Sequence, residues 1–207
     1  MTRLLHVESS PRKGTSASIE VARALIDAWA ARHPESHVDT LDLWAEPLPE
    51  FNGAVLDAKY AFLSGGTPAG AEAEAWARIS AMVDRIKRAD ILVVSAPMWN
   101  FSIPYKLKHW IDLVTQPGLS FGYDPDKGYF GMVTGKRAVL VCARGGEYVG
   151  DAAAYDLQTR YLAQALGFIG ITDQQLVTID RSLHGPAADR ASRDAAKATA
   201  VALAASL

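Results

Sequence analysis

The sequence predicts an α/β fold, a doubly wound sheet of five parallel strands with helices on both faces. Three observations predict it. Short apolar runs alternate with longer helix-periodic stretches along the chain. Three of those runs are nearly continuous in Val, Ile and Leu, as strands covered on both faces are. The length of 207 residues, 49% of them hydrophobic and 21% charged, suits one globular domain with a full core.

The elements follow in order. Leu4–Val7 is the first strand candidate, and a helix is expected from about Ser16 to Arg32 because Ile19, Ala22, Leu25, Ile26 and Trp29 share one face. Val38–Leu43 is the second strand. A second helix is expected over Glu72–Arg88, striped by Ile79, Met82, Val83 and Ile86. Ile91–Ala96 is the third strand, with a helix over about Pro104–Thr115 behind it. Ala138–Cys142 is the fourth strand, with a helix over about Ala152–Leu166. Gln175–Ile179 is the fifth, and an Ala-rich helix follows Pro186. Two connections, Trp44–Gly70 and Gln116–Lys136, exceed the usual length. Each reads as a functional loop or as an insertion packed on the body. The second carries Phe121, Tyr123, Tyr129 and Phe130 and is the better candidate for a substrate wall.

Bulk properties exclude several classes. A net charge of −2 lacks the basic footprint of a nucleic-acid binder. No apolar run is long enough to span a bilayer, and no signal peptide is recognised, so a cytoplasmic location is expected. The single cysteine, Cys142, excludes an internal disulfide and a cysteine-based zinc cluster. It sits in an apolar run and reads as a buried, inert thiol. No metal site is expected.

In open parallel sheets, ligands bind beyond the carboxyl ends of the strands. Strand one is followed by Glu8-Ser9-Ser10-Pro11-Arg12-Lys13-Gly14-Thr15-Ser16-Ala17-Ser18, which leads into a helix N-terminus. Bare N–H groups, the positive helix end and the hydroxyls of Ser10, Ser16 and Ser18 suit a phosphate. Thr15 or Ser16 acting only as a helix cap is the bland alternative. Without GxxxxGK[ST] or GxGxxG spacing, the loop suits one monophosphate better than a pyrophosphate. Strand three is followed by Met98-Trp99-Asn100-Phe101, a wall for a flat heteroaromatic ring or, alternatively, a packed hydrophobic turn. Strand four is followed by Ala143-Arg144-Gly145-Gly146-Glu147-Tyr148, whose paired glycines offer open N–H donors or simply serve a turn.

With these residues assembled, the chain resembles the FMN-dependent NADH:azoreductase and NADH:quinone oxidoreductase family of the flavodoxin-like superfold. The resemblance runs over nearly the whole chain. It rests on Ser9-Ser10 with the Ser16/Ser18 loop, on Pro97–Phe101 running into Lys106–Asp112, on Val133–Lys136, on Arg144–Gly146, and on Leu166–Gly170. It implies the strand order 2-1-3-4-5 and non-covalent FMN. The phosphate would lie on Ser10, Ser16, Ala17 and Ser18, the ring against Met98, Trp99, Asn100 and Phe101, and its polar edge at Ala143, Arg144, Gly145 and Gly146. It also implies a homodimer with the site at the interface, where Phe121 reaches towards the partner's flavin. The apolar second and third helices, with Trp76 and Trp110, are candidates for that surface or for ordinary core. Two departures stand out: Ala143 where the family usually has Ser, and Trp99 where Tyr is common.

The activity implied is ping-pong reduction of quinones or azo compounds by NADH or NADPH. The chemistry lies on the flavin, so no residue is assigned as certainly catalytic. Asn100, Gly145 and Gly146 are the candidates for stabilising the reduced ring, with Arg144 behind them. Tyr148 and His109 are candidate proton donors. Tyr148 has the better claim to line the pocket, and His109 reads first as a solvated or interface histidine. The rivals are an NAD(P)H:FMN reductase with loosely held flavin, a non-enzymatic flavodoxin-type carrier, and a ligand-binding module that kept the fold and lost the activity.

Overall fold

The structure, a computed structural model, describes residues 1–67 and 69–207. The elements are β1 (Arg3–Glu8), α1 (Ala17–Arg32), β2 (His37–Asp42), α2 (Gly53–Leu63), α3 (Ala71–Lys87), β3 (Ile91–Pro97), α4 (Tyr105–Val114), β4 (Phe121–Asp124), β5 (Gly128–Gly131), β6 (Arg137–Ala143), α5 (Leu157–Phe168), β7 (Asp173–Ile179) and α6 (Pro186–Leu203). A five-stranded sheet runs β2-β1-β3-β6-β7, with every pairing parallel. With the β4–β5 ribbon set aside, this is the expected order 2-1-3-4-5. Glu8 lies opposite Asp42 and Ser95, Pro97 opposite Ala143, and Ala143 opposite Ile179. The carboxyl ends of all five strands therefore finish at one edge.

Strand alternation divides the core into two layers. Leu5, Val7, Leu92, Val94 and Leu140 pack with Val83 of α3, Trp110 of α4 and Leu162 of α5. Leu4, Ile91, Val93, Val139 and Val141 pack with Leu25 and Trp29 of α1 and with Ala196 and Ala200 of α6. Small alanines on α6 let it lie close to α1. Trp110 is thus core rather than surface, whereas Trp76 is only partly buried and stacks on Phe62 at 5.6 Å. Cys142 is fully buried, and burial pushes its thiol up to about 12.

Both long connections contain regular structure that the sequence reading missed. Within Trp44–Gly70 lies α2, started by Asn52, whose Oδ1 accepts the Val55 N–H at 3.4 Å. Only Val55 and Ala58 of α2 are buried, so its apolar spacing is too sparse to declare a helix. Within Gln116–Lys136 lies the β4–β5 hairpin, turned by Asp124, whose Oδ1 accepts the Asp126 and Lys127 N–H groups at 2.9 Å. The fourth predicted helix starts at Leu157 rather than Ala152, and a short 3-10 turn occupies Gly150–Tyr155. Asp156 caps α5, with Oδ1 accepting the Thr159 N–H at 2.9 Å.

Candidate cofactor site

The loop after β1 is held down before it reaches the helix. The Ser9 N–H and Oγ both donate to the Ser95 carbonyl, at 3.1 and 2.8 Å. Ser9, Ser10, Ser16 and Ser18 are all buried. Ser16 occupies the N-cap position of α1, yet its hydroxyl makes no capping bond. Its Oγ instead meets the Ser18 Oγ at 3.2 Å. The cap reading of Ser16 therefore fails, and Thr15 spends its hydroxyl on the Arg12 carbonyl at 3.0 Å. The amides of Ala17, Ser18 and Ile19 open α1 and lack intrahelical acceptors. Bare amides, paired hydroxyls and the positive helix end can hold one phosphate monoester.

Below this loop sits a buried polar group of side chains. His6 Nε2 lies 3.0 Å from Ser95 Oγ, and Glu8 accepts Arg23 Nη2 at 3.0 Å. Burial, helped by the Arg23 charge, pushes the His6 imidazolium down from 6.5 to about 4. His6 is therefore neutral near pH 7, and its 3.7 Å approach to Glu8 is no ion pair there.

After β3 the chain makes a tight turn. Trp99 and Ser102 exchange backbone hydrogen bonds of 2.9 and 3.0 Å. Asn100 and Phe101 between them have φ of 47° and 71°. Positive φ at both central positions is the type I′ pattern, which suits Asn and strains Phe. Asn100 thus has a backbone reason to be there, which the sequence did not show. The Phe101 ring is half exposed and lies 5.8 Å from Tyr155. Trp99 packs beside Trp44 at 6.0 Å and Tyr105 at 6.3 Å. Trp44, which sequence reasoning passed over, donates its indole N–H to the Ser9 carbonyl at 2.9 Å. It joins the serine loop to the Trp99 turn, and only the fold brings them together.

The loop after β6 joins the same edge, with the Met98 N–H donating to the Ala143 carbonyl at 2.7 Å. The carbonyls of Gly145 and Gly146 accept the N–H groups of Leu183 and Arg181, at 3.2 and 3.1 Å. Their own N–H groups donate to no acceptor among the described residues. Arg144 departs from expectation. Its guanidinium is buried between Asp180 at 2.6 Å and Asp156 at 2.5 Å, so it is no free cation for a reduced ring. Tyr148, half-buried, lies 5.4 Å from that guanidinium and beside the glycine pair.

Two candidates fall elsewhere. His109 Nε2–H donates to the Pro49 carbonyl at 2.9 Å, so it ties the connection before α2 to α4 rather than facing the site. Phe121 packs on Phe168 at 4.9 Å and Tyr129 at 6.0 Å, where α4 and α5 end. Those helices run back from the carboxyl edge, so Phe121 sits at the opposite edge from its own chain's loops.

The comparisons agree with this architecture. A family model described as flavodoxin-like fold matches residues 2–203. The chain is 45% identical to "FMN-dependent NADH:quinone oxidoreductase 3" of Pseudomonas fluorescens, over 99% of this chain and 96% of that one. It is also 45% identical to "FMN-dependent NADH:quinone oxidoreductase" of Desulfotalea psychrophila, over 97% and 93%. The crystal structure of an azoreductase from Bacillus anthracis superposes with a TM-score of 0.91 at 29% identity, covering 100% of both chains. The chain belongs to the flavodoxin-like fold family, in the branch that holds the FMN-dependent NADH:quinone oxidoreductases.

Proposed function

We propose that the protein is an FMN-dependent NAD(P)H oxidoreductase that reduces quinones and azo compounds. One observation carries the reading: a buried serine cluster at an uncapped helix start shares an edge with two unmet glycine amides. This edge fits the cofactor. Ser10, Ser16, Ala17 and Ser18 would hold the phosphate. Met98, Trp99, Asn100 and Phe101 would flank the ring, and the Gly145 and Gly146 amides would meet its polar edge. Bound FMN supplies two-electron transfer from NADH or NADPH to the acceptor. The names and lengths of the two bacterial relatives support the same activity.

The chain's own part is to position and to exclude. Trp99, Phe101 and Tyr148 border one open side, where donor and acceptor take turns in a ping-pong order. Tyr148 is placed beside the glycine pair to line that side, whereas His109, committed to Pro49, is not. We further place the site at a homodimer interface in the cytoplasm, where reduced nicotinamides are made. The hairpin supports the dimer. Its exposed Tyr123, Tyr129 and Phe130 line an apolar depression of about 570 Å³ far from the chain's own flavin loops. A partner would bring Phe121 and its neighbours to the other chain's site.

The test is the visible spectrum of the protein purified with FMN. Flavin absorbance, bleaching by anaerobic NADH and recovery with a benzoquinone are the expected results. Colourless protein without turnover on added FMN overturns the reading. Parallel initial-rate lines are expected with NADH and quinone, and intersecting lines would remove the ping-pong order.

A further inference from the structure

We propose that Arg144 is a positioning residue that locks the Gly145–Gly146 amides to the Trp99–Ser102 turn through Asp156 and Asp180. The inference rests on reading that edge as the ring-binding site. Arg144 is only 8% exposed, and its Nε and Nη1 donate to two carboxylates from different elements, at 2.6 and 2.5 Å.

Each carboxylate is rooted in turn. Asp180 follows β7 and accepts the Thr178 hydroxyl at 3.1 Å. Asp156 caps α5, with Oδ2 also accepting the Thr159 hydroxyl at 2.6 Å. The first amide of α5, Leu157 N–H, donates to the Phe101 carbonyl at 3.0 Å. A continuous chain of bonds thus runs from Arg144 through Asp156 and Leu157 to the strained turn. On the other side, Ser182 donates its N–H and Oγ to the Arg144 carbonyl at 3.2 and 3.0 Å. Arg181 and Leu183 take the Gly146 and Gly145 carbonyls. With all three carbonyls bound to the β7 loop, the glycine amides can only face away from it.

The planar guanidinium suits this task. Its donors leave at fixed angles, so two carboxylates held by one fork are held relative to each other. Burying such a cluster is weak evidence of stability in itself. What it secures is the relation between a ring wall and a donor pair that arise 44 residues apart, at positions 101 and 145. Preorganised donors of this kind act chiefly on the form carrying more negative charge, here the reduced ring.

Amide hydrogen exchange of the cofactor-free protein tests the coupling. Arg144→Met is expected to speed exchange at least tenfold at the bonded amides of Trp99, Ser102 and Leu157 on one side and of Arg181, Ser182 and Leu183 on the other, while residues 9–18 stay unchanged. The triple variant Arg144→Met/Asp156→Asn/Asp180→Asn leaves no bare buried carboxylate and should show the same pattern if Arg144→Met does not fold. Arg144→Lys, one ammonium in place of a fork, should fall between them and the wild type. In the FMN-loaded variants, a tenfold greater loss of affinity for the reduced than the oxidised flavin would lower the midpoint potential by about 30 mV. Faster exchange at Arg181–Leu183 alone, or uniformly across the sheet, with an unchanged potential, overturns the proposal. Wild-type protein that binds no flavin would sink the proposed function, while the exchange pattern would still decide the coupling.

Discussion

A serine at a helix start ordinarily spends its hydroxyl on the helix, and Ser16 does not. Ser18, the second residue of the helix, shares that hydroxyl instead. Ser18→Ala should therefore weaken FMN about 10- to 150-fold, the cost of one hydrogen bond to a charged group, ~1.5–3 kcal/mol. Riboflavin, which lacks the phosphate, should bind as before, and equal losses for both would show that Ser18 does not touch phosphate. His6 sets a different expectation. Its folded pKa of about 4 lies below the unfolded 6.5, so the unfolded chain binds more protons between those values. Stability is then fully present above pH 6.5 and falls as pH drops towards 4, by about 2 kcal/mol at pH 5. His6→Leu should flatten the fall in Tm from pH 7 to pH 5, and an equal fall in both proteins would refute this. Serines beside a strand end were legible in sequence because their setting is local. The fates of Arg144 and His109 were not, because the partners of Arg144 lie 12 and 36 residues away and that of His109 lies 60 away.

The parallel strands and long helices were legible because burial on both faces, or on one stripe, writes itself as a period. Helix α2 and the β4–β5 hairpin were not. Their side chains pack on α3 and α5 or remain exposed, so neither shows a clean period of its own. The hairpin is seated instead by close backbone contact. A Cβ on Gly131 would stand 2.2 Å from the Gly170 nitrogen and 2.3 Å from the Ile169 carbonyl carbon. Gly131→Ala must push the hairpin off α5's end, at about 1–3 kcal/mol by the usual cost of overpacking. A thermal melt reads this, and an unchanged Tm would mean the hairpin is not held there. The α5 boundary shows the same limit at smaller scale. The alanines at 152–154 favour helix, yet they lie in the 3-10 turn and the α-helix starts only at Leu157, where Asp156 caps it.

For the whole molecule, the hairpin's position sets the expectation. Tyr123 is exposed at the far edge from the loops that follow β1, β3 and β6. Tyr123→Glu should give a monomer in sedimentation that keeps the FMN spectrum but loses at least tenfold in turnover per flavin. A dimer with full turnover would remove the interface from the proposal. The sequence by itself determined the doubly wound class, the five parallel strands and the three loops that leave their carboxyl ends. Residues near in sequence carry these, through periodicity and through the rule that ligands gather at strand ends. Tertiary structure decided what those loops do to one another. It buried Arg144 between two aspartates, gave Asn100 and Phe101 their left-handed backbone, joined Trp44 to Ser9, and sent Phe121 to the opposite edge. Each of these depends on contacts across the fold, and no local pattern encodes which distant group will be waiting there.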